Sequence, residues 1–382
     1  MYYLDYAAAT PLSTRAKKAM ELYFSDHFFN PSSPYLPAQT VRDAYEAAKD
    51  TIAHSIGARG ADLVITAGAT ESINLALYKL RSCKQRNCVL ISAVEHPAVS
   101  EAAKKSGHYE TIKVNKHGVI DLADLAAKIT PHTQLISIVL ASSELGSIQP
   151  IAKVSELVKA ERARRLAAGE TTPLYLHCDA SQGLGILDIK VARLGVDLLT
   201  LNSAKVYGPK GIGALWVGHN VKLEPLIVGG GQESGLRSGT ENVPGVIGFA
   251  AAAEEAAAHQ KTEQKRLANL KNILISILSQ NNKIIFLGDP KHQLANFLPI
   301  SIPGLDAERL IYKLEAKQVY LSTGAACSAN KHIKSPALKA IGLSEQQIAG
   351  SLRISLGKLN TAEDIKKAGK LILAAITEEA SR

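Results

Sequence analysis

Cysteine is scarce in this chain of 382 residues: Cys83, Cys88, Cys178 and Cys327 are the four present. They form no CxxC pair and no Cys/His spacing of a metal site. Cys83 and Cys88, in SCKQRNC, are near in sequence, and there a disulfide or a metal site is the alternative to free thiols. The sparse usage suits a reducing cytoplasm. Long apolar runs are also missing. None approaches the roughly 18 residues needed to span a bilayer, so no membrane role is expected. The N-terminal MYYLDYAAATP has neither a basic n-region nor an apolar h-region, which argues against a signal peptide. No internal repeat and no low-complexity tail interrupts the chain. The net charge of +9 leaves nucleic acid open as a partner. However, the basic residues are scattered among acids, as in KAERARR and EDIKKAGK. Such runs read as solvated helix faces, so direct nucleic-acid binding is not expected, and anionic ligands or acidic partners are favoured.

What is present is ample core. The hydrophobic share is 46% and mean hydropathy is +0.02, as in a globular protein with one large and one smaller domain. Short apolar runs at 63-LVIT-66, 88-CVLISA-93, 134-QLISIVLA-141, 174-LYLHCD-179, 196-VDLLTLN-202 and 213-GALWVG-218 are apolar on both faces, as buried parallel strands should be. Helical patterns at 71–80 and 151–169 lie between them. This order predicts an α/β fold, with a mainly parallel sheet of seven-stranded type flanked by helices. Beyond 229-GGGQESGLRSGTENVPG-245 a long helix is expected from about 246 to 280, followed by a mixed α/β segment. The large domain is expected over 14–250. The small domain is expected over 251–382 together with 1–13, and it carries the Cys327 loop.

Ligands of such sheets bind beyond the carboxyl ends of the strands, and polar residues gather there. Strand 63–66 runs into AGATES, where Gly68 permits a tight turn, Thr70 can cap the next helix, and free N–H groups suit a phosphate. His96 follows strand 88–93; it can stack on a flat ring, move a proton, or simply be a surface histidine. Asp179 closes an apolar strand and needs a positive partner, either a protonated ring nitrogen or an arginine. Gln182 is within reach of the same place. Lys205 follows strand 196–202 and is a Schiff-base candidate, the bland reading being a surface lysine in a glycine turn. An Asp for a pyridinium nitrogen and a Lys for a Schiff base are the two groups pyridoxal phosphate most requires. Together these residues point to that cofactor. In STGAACSANKHIKSP (322–336), small residues leave the Cys327 sulfur reachable, either as a working nucleophile or as a spare thiol.

The chain resembles the cysteine desulfurases, the NifS/IscS-like branch of the class V aminotransferase superfamily of fold-type I pyridoxal phosphate enzymes. The resemblance runs nearly end to end. It is carried in order by YLDYAAATP, NPSS, GATESIN, VEHPAV, SSELG, HCDASQ, KVYGPKGIGAL, GGGQESGLRSGTEN, STGAACS and RISLG. It implies conversion of L-cysteine to L-alanine, with the sulfur held as a persulfide on Cys327. That sulfur would pass to an acceptor protein in iron–sulfur cluster or tRNA thiolation pathways. Lys205 would carry the Schiff base, Asp179 would pair with the pyridine nitrogen, and Gln182 with the ring hydroxyl. His96 would stack on the ring and help in proton transfer. Ala69 and Thr70 would hold the phosphate. Thr240 would reach the phosphate of a second subunit, which implies a homodimer. Arg353 would grip the substrate carboxylate. The length from Cys327 to 337-ALKAIGL-343 matches the long-loop class.

Two positions depart from the family pattern. Ser142-Ser143 stand where Asn-Asn is usual, so Ser143 takes the place beside cofactor and substrate. Ala204 stands where His is usual, removing a phosphate contact for which Asn202 or Ser203 would compensate. Weaker cofactor retention or altered rates are the expected result. The alternatives are a selenocysteine lyase or other enzyme on the same scaffold, and a non-catalytic partner subunit.

Overall fold

The computed structural model describes residues 1–78, 88–323 and 335–380. The chain opens with the short strand β1 (Tyr2–Tyr3) and two helices, α1 (Thr14–Ser25) and α2 (Leu36–Ser55). Seven strands then alternate with helices: β2 (Leu63–Thr66), α3 (Ala69–Tyr78), β3 (Val89–Ser92), α4 (Pro97–Lys105), β4 (Tyr109–Ile112), α5 (Leu122–Lys128), β5 (Leu135–Val139), α6 (Ile151–Ala167), β6 (Tyr175–Asp179), α7 (Val191–Leu194), β7 (Leu198–Asn202) and β8 (Gly213–Val217). The seven strands form one sheet in the order β2-β8-β7-β6-β5-β3-β4. Only β8 runs against its neighbours.

Side-chain alternation explains why this sheet is buried on both faces. Leu63, Ile65, Leu90, Ile136, Ile138, Leu199 and Leu201 enter a core shared with α2, α6 and α8 (Val243–Leu278). Val64, Val89, Ile91, Leu135 and Leu198 enter the opposite core with α3 and α4. The carboxyl ends of β2, β3, β5, β6 and β7 therefore share one edge. The six strand expectations match β2, β3, β5, β6, β7 and β8, trimmed by a residue or two at their ends. β4 was not foreseen, because YETI alternates and lies partly exposed.

The long helix α8 begins at Asn242, whose side chain accepts the Gly245 N–H at 3.0 Å, with Pro244 in its first turn. Its start packs into the core of the large sheet. Its last turns, through Leu267, Leu270, Leu274 and Leu278, pack into a second core with Leu4, Leu310, Ile354 and Ile372. Around that core lie β9 (Ile285–Phe286), β10 (Phe297–Ser301), α9 (Ala307–Ala316), β11 (Val319–Tyr320), β12 (Ser322–Thr323), β13 (Ser351–Ser355) and α12 (Ala362–Ala380), while α10 (Pro336–Ala340) and α11 (Glu345–Ala349) pack instead with Val94, Val139 and Leu145. Their sheet is ordered β12-β13-β10-β9, while β1 pairs in parallel with β11. The N-terminal segment thus belongs beside the C-terminal strands.

Cys178 is a buried free thiol, its pKa pushed well up by burial and by nearby Asp179 and Glu95. Cys88 is also buried. Cys83 and Cys327 lie outside the described residues. No helix of the described residues is long and apolar enough to cross a membrane.

Candidate active site

Asp179 ends β6 and is almost wholly buried, at 4% exposure. Both Ser181 donors, the backbone N–H at 2.9 Å and the hydroxyl at 2.5 Å, go to its Oδ1. Oδ2 has no hydrogen-bond partner among the described residues, so it is the oxygen available to an incoming N–H. Two residues back on the same face, His177 joins Ser137 Oγ (2.8 Å) and Thr200 Oγ1 (2.9 Å). This cross-strand chain locks β5, β6 and β7 together beneath the site. Burial pushes the His177 ring down to about 4, against the opposing pull of Asp179, so it is a neutral structural group near pH 7.

His96 caps α4: its Nδ1 accepts the Ala98 N–H at 3.1 Å. The neutral ring therefore carries its proton on Nε2. Burial holds its pKa below the ordinary histidine value; Asp179 acts to raise it, while Lys205 and Arg353 lower it further. Asp179 ends β6, Lys205 follows β7 and Arg353 lies in the middle of β13, so groups from three separate elements lie around His96.

Lys205 lies in the single turn Ser203–Lys205 that follows β7. Its Nζ donates to the Ala8 carbonyl, and Gln182 Nε2 donates to the Ala7 carbonyl at 3.1 Å. The segment 7–10 is clasped to the same turn by Thr10, whose N–H and Oγ1 reach the Ala204 carbonyl at 3.1 and 3.0 Å. Arg353, on β13, is 5% exposed. Its Nη2 meets Asp5 Oδ1 at 2.7 Å and its Nη1 the Ser143 carbonyl at 3.2 Å.

The start of α3 could hold a phosphate. Its first helical bond runs from the Ser72 N–H to the Gly68 carbonyl, so the N–H groups of Ala69, Thr70 and Glu71 have no partner within the helix. They border a cavity of about 580 Å³ that Gly68, Asn74, Asn202 and Ala204 also line. Gly68 has φ +144°, and a Cβ on Gly213 would come within 2.7 Å of its Cα. Two expectations need correction here. Thr70 is not the cap but lies inside the first turn, since α3 already begins at Ala69; the side chain of Glu71 holds the Ala67 N–H instead, at 2.8 Å. Ser203 does not line the cavity. It is fully buried and its hydroxyl faces Gly208, where a Cβ would sit 2.1 Å from it. Asn202 is the lining residue; its Oδ1 accepts the Ala204 N–H at 3.1 Å, which leaves its amide N–H groups as donors toward an anion.

Thr240 is exposed and lies outside this cavity. Ser143 contributes its carbonyl to Arg353, and its hydroxyl has no hydrogen bond among the described residues. Cys327 lies outside the described residues. Sequence reasoning missed three acids. Asp5 pairs with Arg353. Glu144 accepts the Ser335 hydroxyl, and burial pushes its carboxyl up to about 7, against the lowering pull of Ser335 and Arg353. Glu95 takes the Ser92 hydroxyl (2.8 Å) and the Val139 N–H (2.6 Å) on Oε1, while burial pushes it up to about 8. All three stand in the motifs YLDYAAATP, SSELG and VEHPAV, in the last two beside Ser143 and His96.

The family model for Aminotransferase class-V matches residues 2–368. Cysteine desulfurase IscS 1 of Archaeoglobus fulgidus is 39% identical over 373 residues, covering 96% of this chain and 94% of that protein. The human protein named cysteine desulfurase is 34% identical, covering 95% of this chain and 79% of its own. Among solved structures, a NifS-like protein superimposes with TM-score 0.90 at 30% identity and 99% coverage of both chains. The structure of SspA in complex with cysteine gives TM-score 0.78 at 30% identity, over 93% of this chain and 99% of that one.

Enzymes of this family use pyridoxal phosphate, and the residues present fit that group. Asp179 offers an open acceptor for a ring N–H, Lys205 an amine at the same edge, and the start of α3 a row of donors with glycine approach for a phosphate. Sequence match, fold and a cofactor-shaped donor set agree, and the chain belongs to the class-V aminotransferase family, in the branch whose curated members are named cysteine desulfurases.

Proposed function

We propose that this protein converts L-cysteine to L-alanine and takes the sulfur onto Cys327 as a persulfide. The observation that carries the reading is the gathering of Asp179 and Lys205, at strand ends of the large sheet, around His96, with Arg353 reaching the same space from β13 of the smaller sheet. When bound, pyridoxal phosphate supplies an electron sink for loss of the substrate Cα proton. Asp179 Oδ2 holds the ring N–H and keeps it protonated. His96 covers the ring and presents Nε2–H. Gln182 faces the ring hydroxyl, while Ala69, Thr70 and Asn202 hold the phosphate. Lys205 is the amine that fixes the cofactor and then carries the Cα proton. Arg353 and Ser143 receive the substrate carboxylate. The Cys327 thiolate forms a bond to the substrate sulfur, which keeps its proton, as the Cβ–S bond breaks and leaves its electron pair on carbon; a proton delivered to Cβ and return of the Cα proton from Lys205 complete alanine.

The persulfide passes to an acceptor protein, such as an iron–sulfur scaffold or a tRNA-thiolation relay, in the cytoplasm. The working unit is a homodimer in which Thr240, exposed on its own subunit, completes the neighbour's phosphate site. The exposed apolar side chains Phe24, Phe28 and Leu36, at 65%, 68% and 73% exposure, support such a pairing. Residues 14–250 form the cofactor domain; residues 251–382 with 1–13 form the small domain that carries the Cys327 loop.

The test is an assay of alanine and sulfide from L-cysteine with reductant present. Lys205→Ala abolishes both products. Cys327→Ala abolishes sulfide release yet keeps the absorbance of lysine-bound cofactor. Unchanged sulfide release by Cys327→Ala would overturn the reading.

A further inference from the structure

Arg353 is a nearly buried cation on β13, and its closest anion comes from the other end of the chain. Asp5 lies 348 positions away in sequence and meets Nη2 at 2.7 Å. Its placement is fixed by backbone, not chance. The Ser355 N–H binds the Leu4 carbonyl at 2.8 Å, Asp5 bridges to Ser355 in parallel register, and the Ala7 N–H binds Ser355 Oγ at 2.9 Å. Tyr3 adds its hydroxyl to the Asp5 carbonyl at 2.9 Å. The Asp5 carboxylate is thus held alongside the strand that carries Arg353, against one corner of its fork.

A guanidinium has five N–H donors. Asp5 and the Ser143 carbonyl take one from each terminal nitrogen, while Nε is buried with no hydrogen-bond partner among the described residues. Each terminal nitrogen therefore keeps one hydrogen, and these are the pair that can meet a carboxylate side by side. An arginine tethered at one point would swing; tethered at both terminal nitrogens it presents a fixed plane. Asp5 also has a cost, because its negative charge opposes an incoming carboxylate. The Asp5 side chain is 20% exposed against 6% for Arg353. Water therefore screens the repulsion more than it disturbs the short hydrogen bond.

We infer that Asp5 is a positioning residue for substrate recognition: it sets the plane in which Arg353 presents its remaining N–H groups to the carboxylate of an α-amino acid. The inference rests on the reading of Arg353 as the carboxylate site. It makes carboxylate recognition depend on docking of the first residues against β13.

Equilibrium titration of the cofactor-loaded protein tests this, following the spectral change with L-alanine, the carboxylate-bearing product with no sulfur to lose, and with cysteamine, which lacks the carboxylate. Asp5→Ala weakens L-alanine binding by about tenfold, the worth of one oriented charged hydrogen bond, and leaves cysteamine unchanged. Asp5→Asn keeps an acceptor at Oδ1 and removes the charge, so it binds L-alanine as tightly as wild type or more tightly. A merely structural role would weaken both ligands together, and that result overturns the inference. So does an Asp5→Asn protein as weak as Asp5→Ala, which would assign the effect to charge. Arg353→Ala separates the two readings. If it also leaves L-alanine binding intact, the carboxylate site itself is wrong; if it loses binding while Asp5→Ala does not, only the role of Asp5 fails. Should Asp5→Ala not fold, Asp5→Ser and Asp5→Asn carry the comparison.

Discussion

The Ala98 N–H donates to Nδ1 of His96 at 3.1 Å, so one backbone contact both caps α4 and fixes which ring nitrogen carries the proton. With burial holding the ring below the usual histidine range, His96 stays neutral across physiological pH and acts as a Nε2–H donor. If His96 covers the cofactor as proposed, His96→Phe keeps a flat ring there but removes that proton. Cofactor content should hold, while the rate of alanine formation falls by roughly 10² or more, the usual worth of a positioned proton donor. Alanine assays normalised to cofactor absorbance check this.

Two buried groups should tilt stability with pH in opposite directions. His177 is held at about 4 against 6.5 when exposed. The unfolded chain takes up its proton first, so stability present above pH 6.5 drains away as pH falls toward 4, by up to about 3 kcal/mol. Glu95 is held at about 8 against 4.5. Here the folded chain keeps the proton longer, so stability is full below pH 4.5 and is lost as pH rises through 8. Urea unfolding across this range should give a flatter acid limb for His177→Gln. Glu95→Gln should match wild type near pH 5 and exceed it near pH 9.

Glu233 anchors the loop that ends in Thr240. It accepts from Tyr45 Oη, from Lys49 Nζ at 3.1 Å and from the Ile65 N–H at 2.8 Å, and it is followed by Ser234; both residues have positive φ, 49° and 57°. Lys49 and Glu233 side chains are only 7% and 4% exposed. Lys49→Ala strands a buried carboxylate and should cost about 3–5 kcal/mol. Lys49→Met combined with Glu233→Gln removes both charges and should cost less than Lys49→Ala alone. A double-mutant cycle in urea reads the difference.

The parts of the site legible in the sequence are those tied to local pattern. Asp179, His96 and Lys205 each end or follow an apolar run, and a parallel sheet must bring such ends to one edge. The Asp5–Arg353 pair was not legible, because nothing local links an N-terminal aspartate to a strand 348 residues away; it exists only once β1 docks on β11 and the next residues on β13. Glu95 and Glu144 were passed over for a related reason. A glutamate in a strand-end loop reads as solvated, and only the packed structure withdraws its water. In the sequence Thr70 reads as a possible cap because Thr is a common one, whereas the helix here starts one residue earlier, after a glycine at φ +144°.

Ala204 lines the phosphate cavity beside Asn202, and about 580 Å³ of space remains there. A histidine at this position would add a ring N–H toward the phosphate without displacing Asn202, whose Oδ1 is held by the backbone of residue 204 and not by its side chain. A hydrogen bond to a charged group contributes roughly 1.5–3 kcal/mol. Ala204→His should therefore tighten pyridoxal phosphate binding by about tenfold or more, with little change in alanine formation at saturating cofactor, since the residue touches neither Asp179 nor Lys205 Nζ. Titration of apo protein with the cofactor, followed by absorbance, measures the gain. An unchanged affinity would mean that Asn202 already satisfies the phosphate, and that the family's histidine is dispensable in this chain.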